Sequence, residues 1–277
     1  MRVDAKVLAG HLKRIYVPEP AGMGIRNVAL KGQWECAALS MNGDMLVCAP
    51  ALKDAPGLSD TVYVNLRVLI GVLETYSASV ELSFEDERMV LREPGLKRPS
   101  YHLLVGDVES CSTGHVERDT AEAIFARLPD VQGIPFKFRQ WDEKLEEFFA
   151  DDDRAERLSY LDPSSSVKYL AHRFESQRVV LEVGPESGCW RTAGPARVSR
   201  SGVRLIADYA EIPHHYFTDQ PYRLTFEAPP LLALLRVIRD APNPHIFLHG
   251  PDTFMTFSDA DGFRWLLMPI EVRRNLL

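Results

Sequence analysis

The sequence predicts an α+β fold made of a duplicated unit, each copy a set of antiparallel sheets backed by two helices. Three observations predict it: self-similarity at a spacing near 160 residues, short strands with period-2 alternation, and four separate helical stripes. The self-similarity comes first, because it sets the order of everything else. "NGDMLVCA" (Asn42 to Ala49) matches "SGVRLIA" (Ser201 to Ala207), with Gly43 over Gly202 and Leu46 over Leu205 at an offset of 159. "VYVNLRVLIGVLETYS" (Val62 to Ser77) resembles "YRLTFEAPPLLALLRVIRD" (Tyr222 to Asp240), with Leu69 over Leu231 at an offset of 162. "YHLLVGD" from Tyr101 lies opposite "FRWLLMPIE" from Phe263, and the chain start "VDAKVLAGHLKRI" opposite "YLDPSSSVKYLAHRF". Each half then reads strand, helix, several alternating strands, helix, three strands.

The helices follow from spacing. Leu8, Leu12 and Ile15; Leu69, Val72, Leu73 and Tyr76; Val167, Leu170, Ala171 and Phe174; and Leu231, Leu234, Leu235 and Ile238 each form a stripe that leaves one helical face for a sheet. Ser164 to Ser166 suit the cap of the third helix, and Pro229-Pro230 the first turn of the fourth. Strands are read in "SVELSFEDERMVLRE" and in "PHIFLHGPDTFMTFSDADGFRWLLM", where Glu-Asp and Gly-Pro-Asp steps supply the turns. The repeat divides the chain into a first domain at 1–110, an acidic connector at 111–157 with a short helix at Trp141 to Ala150, and a second domain at 158–277.

Composition places the chain among ordinary globular proteins, with 45% hydrophobic and 26% charged residues. No apolar run approaches the ~18 residues of a membrane span and no basic leader opens the chain; a soluble, cytoplasmic protein is expected. Cys36, Cys48, Cys111 and Cys189 lack metal-finger spacing and are expected as reduced thiols. Catalysis finds no foothold. There is no phosphate-cradling Walker loop, "AGMG" at 21–24 lacks the dinucleotide spacing, and Asp151 to Asp153 read as solvated connector carboxylates. His245 and His249 lack the third ligand a zinc site requires. Neither cofactor nor metal is expected.

Charge carries the functional signal. The formal net charge is -7, yet residues 5–15, 67–77, 163–173 and 230–239 hold Lys6, Lys13, Arg14, Arg67, Lys168, Arg173, Arg236 and Arg239 against Glu74 alone. These four windows carry +7, which leaves -14 on the rest of the chain. Such segregation suits a protein that holds a polyanion on its helices and repels it elsewhere. Lysine and arginine contacts to phosphates position DNA without reading its sequence.

In these features the sequence resembles the DNA polymerase sliding clamps, over roughly 1–110 and 158–277. Leu266-Leu267-Met268-Pro269-Ile270 corresponds to the terminal strand of bacterial clamps. Ser201-Gly202-Val203-Arg204-Leu205 is similar to their Asp-Gly-x-Arg-Leu turn, with Ser201 in place of Asp. The first copy, Asn42-Gly43-Asp44-Met45-Leu46, has no arginine. The resemblance implies the DNA-clamp fold and a non-enzymatic, ring-forming processivity factor that encircles double-stranded DNA. It also implies a clamp loader, a DNA polymerase as partner, and the eight cations above lining the hole. A pocket for partner peptides is implied at Gly202, Arg204, Leu205, Leu232, Met268 and Ile270, with the connector as a rival location. Two units per chain, where bacterial clamps carry three, imply a homotrimer and suggest a phage origin. The alternative is a monomeric clamp-fold subunit that binds DNA through its basic face.

Overall fold

A computed structural model describes residues 1–18, 24–40, 42–85, 88–95, 101–104, 116–135, 178–185, 188–192, 209–212 and 221–270. The described chain is α+β with antiparallel sheets, and it divides into two compact units. The first comprises Met1–Arg127, Asp240–Pro242 and Ser258–Leu266; the second comprises Leu128–Arg239, Asn243–Phe257 and Leu267–Leu277.

In the first unit, β1 (Arg2–Asp4) runs into α1 (Ala5–Lys13), followed by β2 (Asn27–Leu30), β3 (Cys36–Leu39), β4 (Met45–Ala49) and β5 (Val62–Asn65). Then come α2 (Leu66–Leu73), β6 (Ser79–Glu85), β7 (Arg88–Arg92), β8 (Tyr101–Leu104) and α3 (Arg118–Ala126). Both long helices start without a loop, because the last strand residue is also the cap. Asp4 accepts from the backbone N–H of Lys6 and Val7 at 2.9 and 3.0 Å, and Asn65 accepts from Val68 at 3.2 Å. The predicted stripes of α1 and α2 are buried except at Val72, which is half-buried. Leu8, Leu12, Ile15, Leu69 and Leu73 are fully buried, and Tyr76 donates its hydroxyl to the Leu91 carbonyl at 3.1 Å.

The sheet behind them runs β1-β6-β7-β8, with Val3 opposite Val80 and Leu82 opposite Leu91. β2 pairs with β5, and β3 with β4 through a turn in which Gly43 takes φ +76, a left-handed conformation that glycine adopts without a Cβ clash. On its other side β4 pairs with β16 (Arg264–Leu267), the last strand among the described residues.

In the second unit, β9 (Ile134–Pro135) precedes β10 (Arg178–Val183), β11 (Gly188–Thr192), β12 (Tyr209–Ile212) and β13 (Tyr222–Glu227). α4 (Ala228–Arg239), β14 (His245–Leu248) and β15 (Met255–Ser258) follow. Pro229 and Pro230 fall in the first turn of α4, where a missing N–H costs nothing. Leu231, Leu234, Leu235 and Ile238 are buried as the stripe requires. The order is β12-β11-β10-β13, and in the first unit the β2-β5 and β3-β4 pairs are joined by an isolated bridge between Lys31 and Glu35; β9 pairs with β14, with Ile134 opposite Ile246.

The connector expected at 111–157 contains structure of its own. α3 packs on β3 and β4, with Arg118 paired to Glu35, Glu122 paired to Arg264, and the Arg264 guanidinium 4.5 Å above the Phe125 ring. β9 is a sheet strand. The unit boundary falls between Arg127 and Leu128, inside the segment expected to be linker. The helix expected at Trp141 to Ala150 and the one at Val167 to Phe174 lie outside the described residues.

Candidate nucleic-acid interface

α1 and α2 pack against each other and present a common outer face. Their sequences superpose at an offset of 61, Lys6-Val7-Leu8-Ala9-Gly10 over Arg67-Val68-Leu69-Ile70-Gly71. In both, the leucine is buried while the cation, the valine and the glycine are exposed. Lys6, Lys13 and Arg67 therefore stand on this face beside Val7 and Val68, which are 52% and 47% exposed. Lys13 Nζ lies 2.6 Å from Glu74 Oε1, an ion pair between the C-terminal ends of the two helices with both side chains half-exposed. The face holds three cations and one carboxylate, positive on balance within an acidic protein.

Arg14 is placed differently from the other predicted cations. It is the C-cap of α1, and its Nη1 lies 3.0 Å from Asp259 Oδ2 and 2.6 Å from Asp261 Oδ2. Its guanidinium stacks 4.6 Å from the Phe263 ring centroid. Its carbonyl accepts the Trp265 indole N–H at 3.0 Å. Arg14, expected as a DNA-lining residue, is held by two carboxylates, one of them with a fully buried side chain. Sequence reading could not see this, since Asp259 is 245 residues away.

Burial of Asp259 raises its pKa, opposed by hydrogen bonds from the Phe263 N–H and from Arg14. His11 belongs to the same cluster. Its ring meets Phe263 edge-on at 5.0 Å and donates from Nε2 to the Trp34 carbonyl at 3.0 Å. Burial is the main reason its pKa falls to about 4.

In the second unit, Arg236 is half-exposed and Arg239 exposed near the C-terminal end of α4. Lys168 and Arg173 lie outside the described residues, as do Gly202, Arg204 and Leu205 of the expected pocket. Leu232 is on α4, with its side chain outside the description; Met268 and Ile270 follow β16 and are half-exposed. Since β16 pairs with β4, the described structure brings the first copy of the turn, Asn42 to Leu46, beside the terminal strand.

Among the described residues no three His, Cys, Asp or Glu side chains are grouped to hold a metal ion. His249 spends both ring nitrogens, donating to the Pro129 carbonyl and accepting from Thr256 Oγ1, each at 2.8 Å, while His245 bonds the Asn243 carbonyl at 3.0 Å. Cys36 and Cys48 are buried free thiols with pKa values pushed up by burial, Cys48 to about 11. No described helix is long and apolar enough to cross a membrane.

No protein-family profile and no curated protein matches the sequence. Solved structures do match. The beta subunit from DNA polymerase of Streptococcus pyogenes superposes with a TM-score of 0.59 at 13% identity, covering 98% of this chain and 65% of that one. The DNA polymerase sliding clamp from Caulobacter crescentus gives 0.58 at 15% identity, again over 98% of this chain and 65% of that one. The DNA polymerase III beta chain of Streptococcus pneumoniae gives 0.61 at 14% identity, over 98% of this chain and 64% of that one. This chain thus spans about 65% of the length of those proteins. On these superpositions the chain has the fold of the DNA polymerase sliding clamps.

Proposed function

We propose that the protein is a non-enzymatic processivity clamp whose copies join head to tail into a homotrimeric ring around duplex DNA. In this reading it tethers a DNA polymerase and is placed on DNA by a clamp loader. The observation that carries it is the gathering of exposed Lys6, Lys13 and Arg67 on one helical face of a chain of net charge -7 with this fold. Contacts from these residues would be to phosphates, sequence-independent and weak enough to slide. Lys168, Arg173, Arg236 and Arg239 are proposed to extend the lining.

The sheet edges support the ring. β8 and β12 each end a sheet among the described residues, and they correspond by order to β16 and β4, which pair with each other. A joint of β12 on β8 of the next copy would repeat a pairing the chain already contains, and a heterologous joint of this kind closes when the rotation per copy is right. For the polymerase, the stretch after β16 with half-exposed Met268 and Ile270 is the proposed docking point, with Gly202, Arg204, Leu205 and Leu232 as its further candidates.

Light scattering across a concentration series tests the assembly. The ring requires a species near three times 31.3 kDa. A mass that stays at 31.3 kDa throughout refutes it and leaves the monomeric, face-binding alternative.

A further inference from the structure

We propose that Glu74 is a built-in competitor on the DNA-binding face, holding Lys13 in an ion pair and so setting how strongly the helices grip duplex DNA; this rests on the DNA-binding reading above. Glu74 is the only acidic residue in the four basic helical windows, and it meets Lys13 at 2.6 Å with both side chains open to solvent. It stands at the C-cap of α2, where a negative charge faces the negative end of the helix dipole, so its own helix gives no reason for it. Nor does the repeated unit require acid there, since Arg236 occupies the corresponding place in α4. An approaching phosphate must take Lys13 from Glu74, and the carboxylate left behind repels the next phosphate. The pair therefore weakens binding without removing the cation, which favours sliding over sticking.

Anisotropy of a fluorescein-labelled DNA duplex, titrated with full-length protein across a salt series, tests this. Glu74→Gln should tighten binding several-fold at low salt and steepen the slope of log K against log salt by ~0.9 for each chain engaged. Lys13→Gln alone should change little, and Lys13→Gln with Glu74→Gln should return the slope to that of the unaltered protein. The inference is overturned if Glu74→Gln leaves the slope unchanged, or if its gain persists without Lys13, which would make Glu74 a plain repulsive charge. The underlying reading fails separately, and takes the inference with it, if binding by the unaltered protein is insensitive to salt and to Lys6→Gln with Arg67→Gln. Both residues are exposed, so circular dichroism of the variants should match the parent.

Discussion

Acid should destabilise the first unit through His11, and the size of the effect follows from its surroundings. The imidazole is 4% exposed, donates to the Trp34 carbonyl and has Phe263 at its edge. Burial above all, with the Arg14 charge beside it, lowers its pKa from 6.5 to about 4 against the opposing Trp34 hydrogen bond and Asp261. Because the folded pKa lies below the unfolded one, the unfolded chain takes the proton first as pH falls. This contribution is complete above pH 6.5 and is lost progressively down to pH 4. Between pH 7 and pH 4.5, linkage at this one site removes about 2 kcal/mol. Asp259 works in the opposite direction, its raised pKa adding stability as pH falls, so the comparison needs a variant that shares it. His11→Gln keeps an N–H for the Trp34 carbonyl but takes up no proton. Urea denaturation followed by tryptophan fluorescence at both pH values should show the parent losing about 2 kcal/mol more than His11→Gln. Equal losses in the two proteins would refute the argument.

Other outcomes follow from the same structure. Arg14→Ala should cost about 3 kcal/mol in urea denaturation, because the fully buried Asp259 side chain is left without its cation, while the salt slope for duplex DNA should stay that of the parent. Gly10→Ala and Gly71→Ala should each raise stability by about 1 kcal/mol in the same assay, since an added Cβ meets nothing within 4 Å at either helical position.

The helices and hairpins were legible because their information is local. Leu8, Leu12 and Ile15 repeat at helical spacing, and the alternation from Ser79 to Arg92 and from His245 to Leu267 reads directly as strands. The cationic face was legible in part. Lys6, Lys13 and Arg67 emerge exposed, but Arg14 does not join them, because its partners lie near the far end of the chain and a window of eleven residues cannot show them. The pairing of β16 with β4 was hidden for the same reason: two strands with apolar inward residues look alike, and adjacency is decided by closure of the sheet. α3 was missed because it carries no buried leucine-type stripe, with Ala121 its one buried residue, and ion pairs to Glu35 and Arg264 hold it instead. The superposition of α1 on α2 was present in the sequence, but it is shorter than the repeat that overshadowed it.

The absence of any loop between β1 and α1, β5 and α2, and β13 and α4 has a mechanical meaning. A helix joined to its strand through a cap residue has no hinge, since each neighbouring dihedral is already fixed by a ladder or by a helical turn. Drag on Lys6 or Arg67 cannot be absorbed by pivoting the helix. It passes along the backbone into β1 or β5 and loads the cross-strand bonds to β6 or β2 together, in shear rather than one at a time. Such a helix acts as a stiff rail fixed to its sheet, and a cargo can be dragged across it without bending the track.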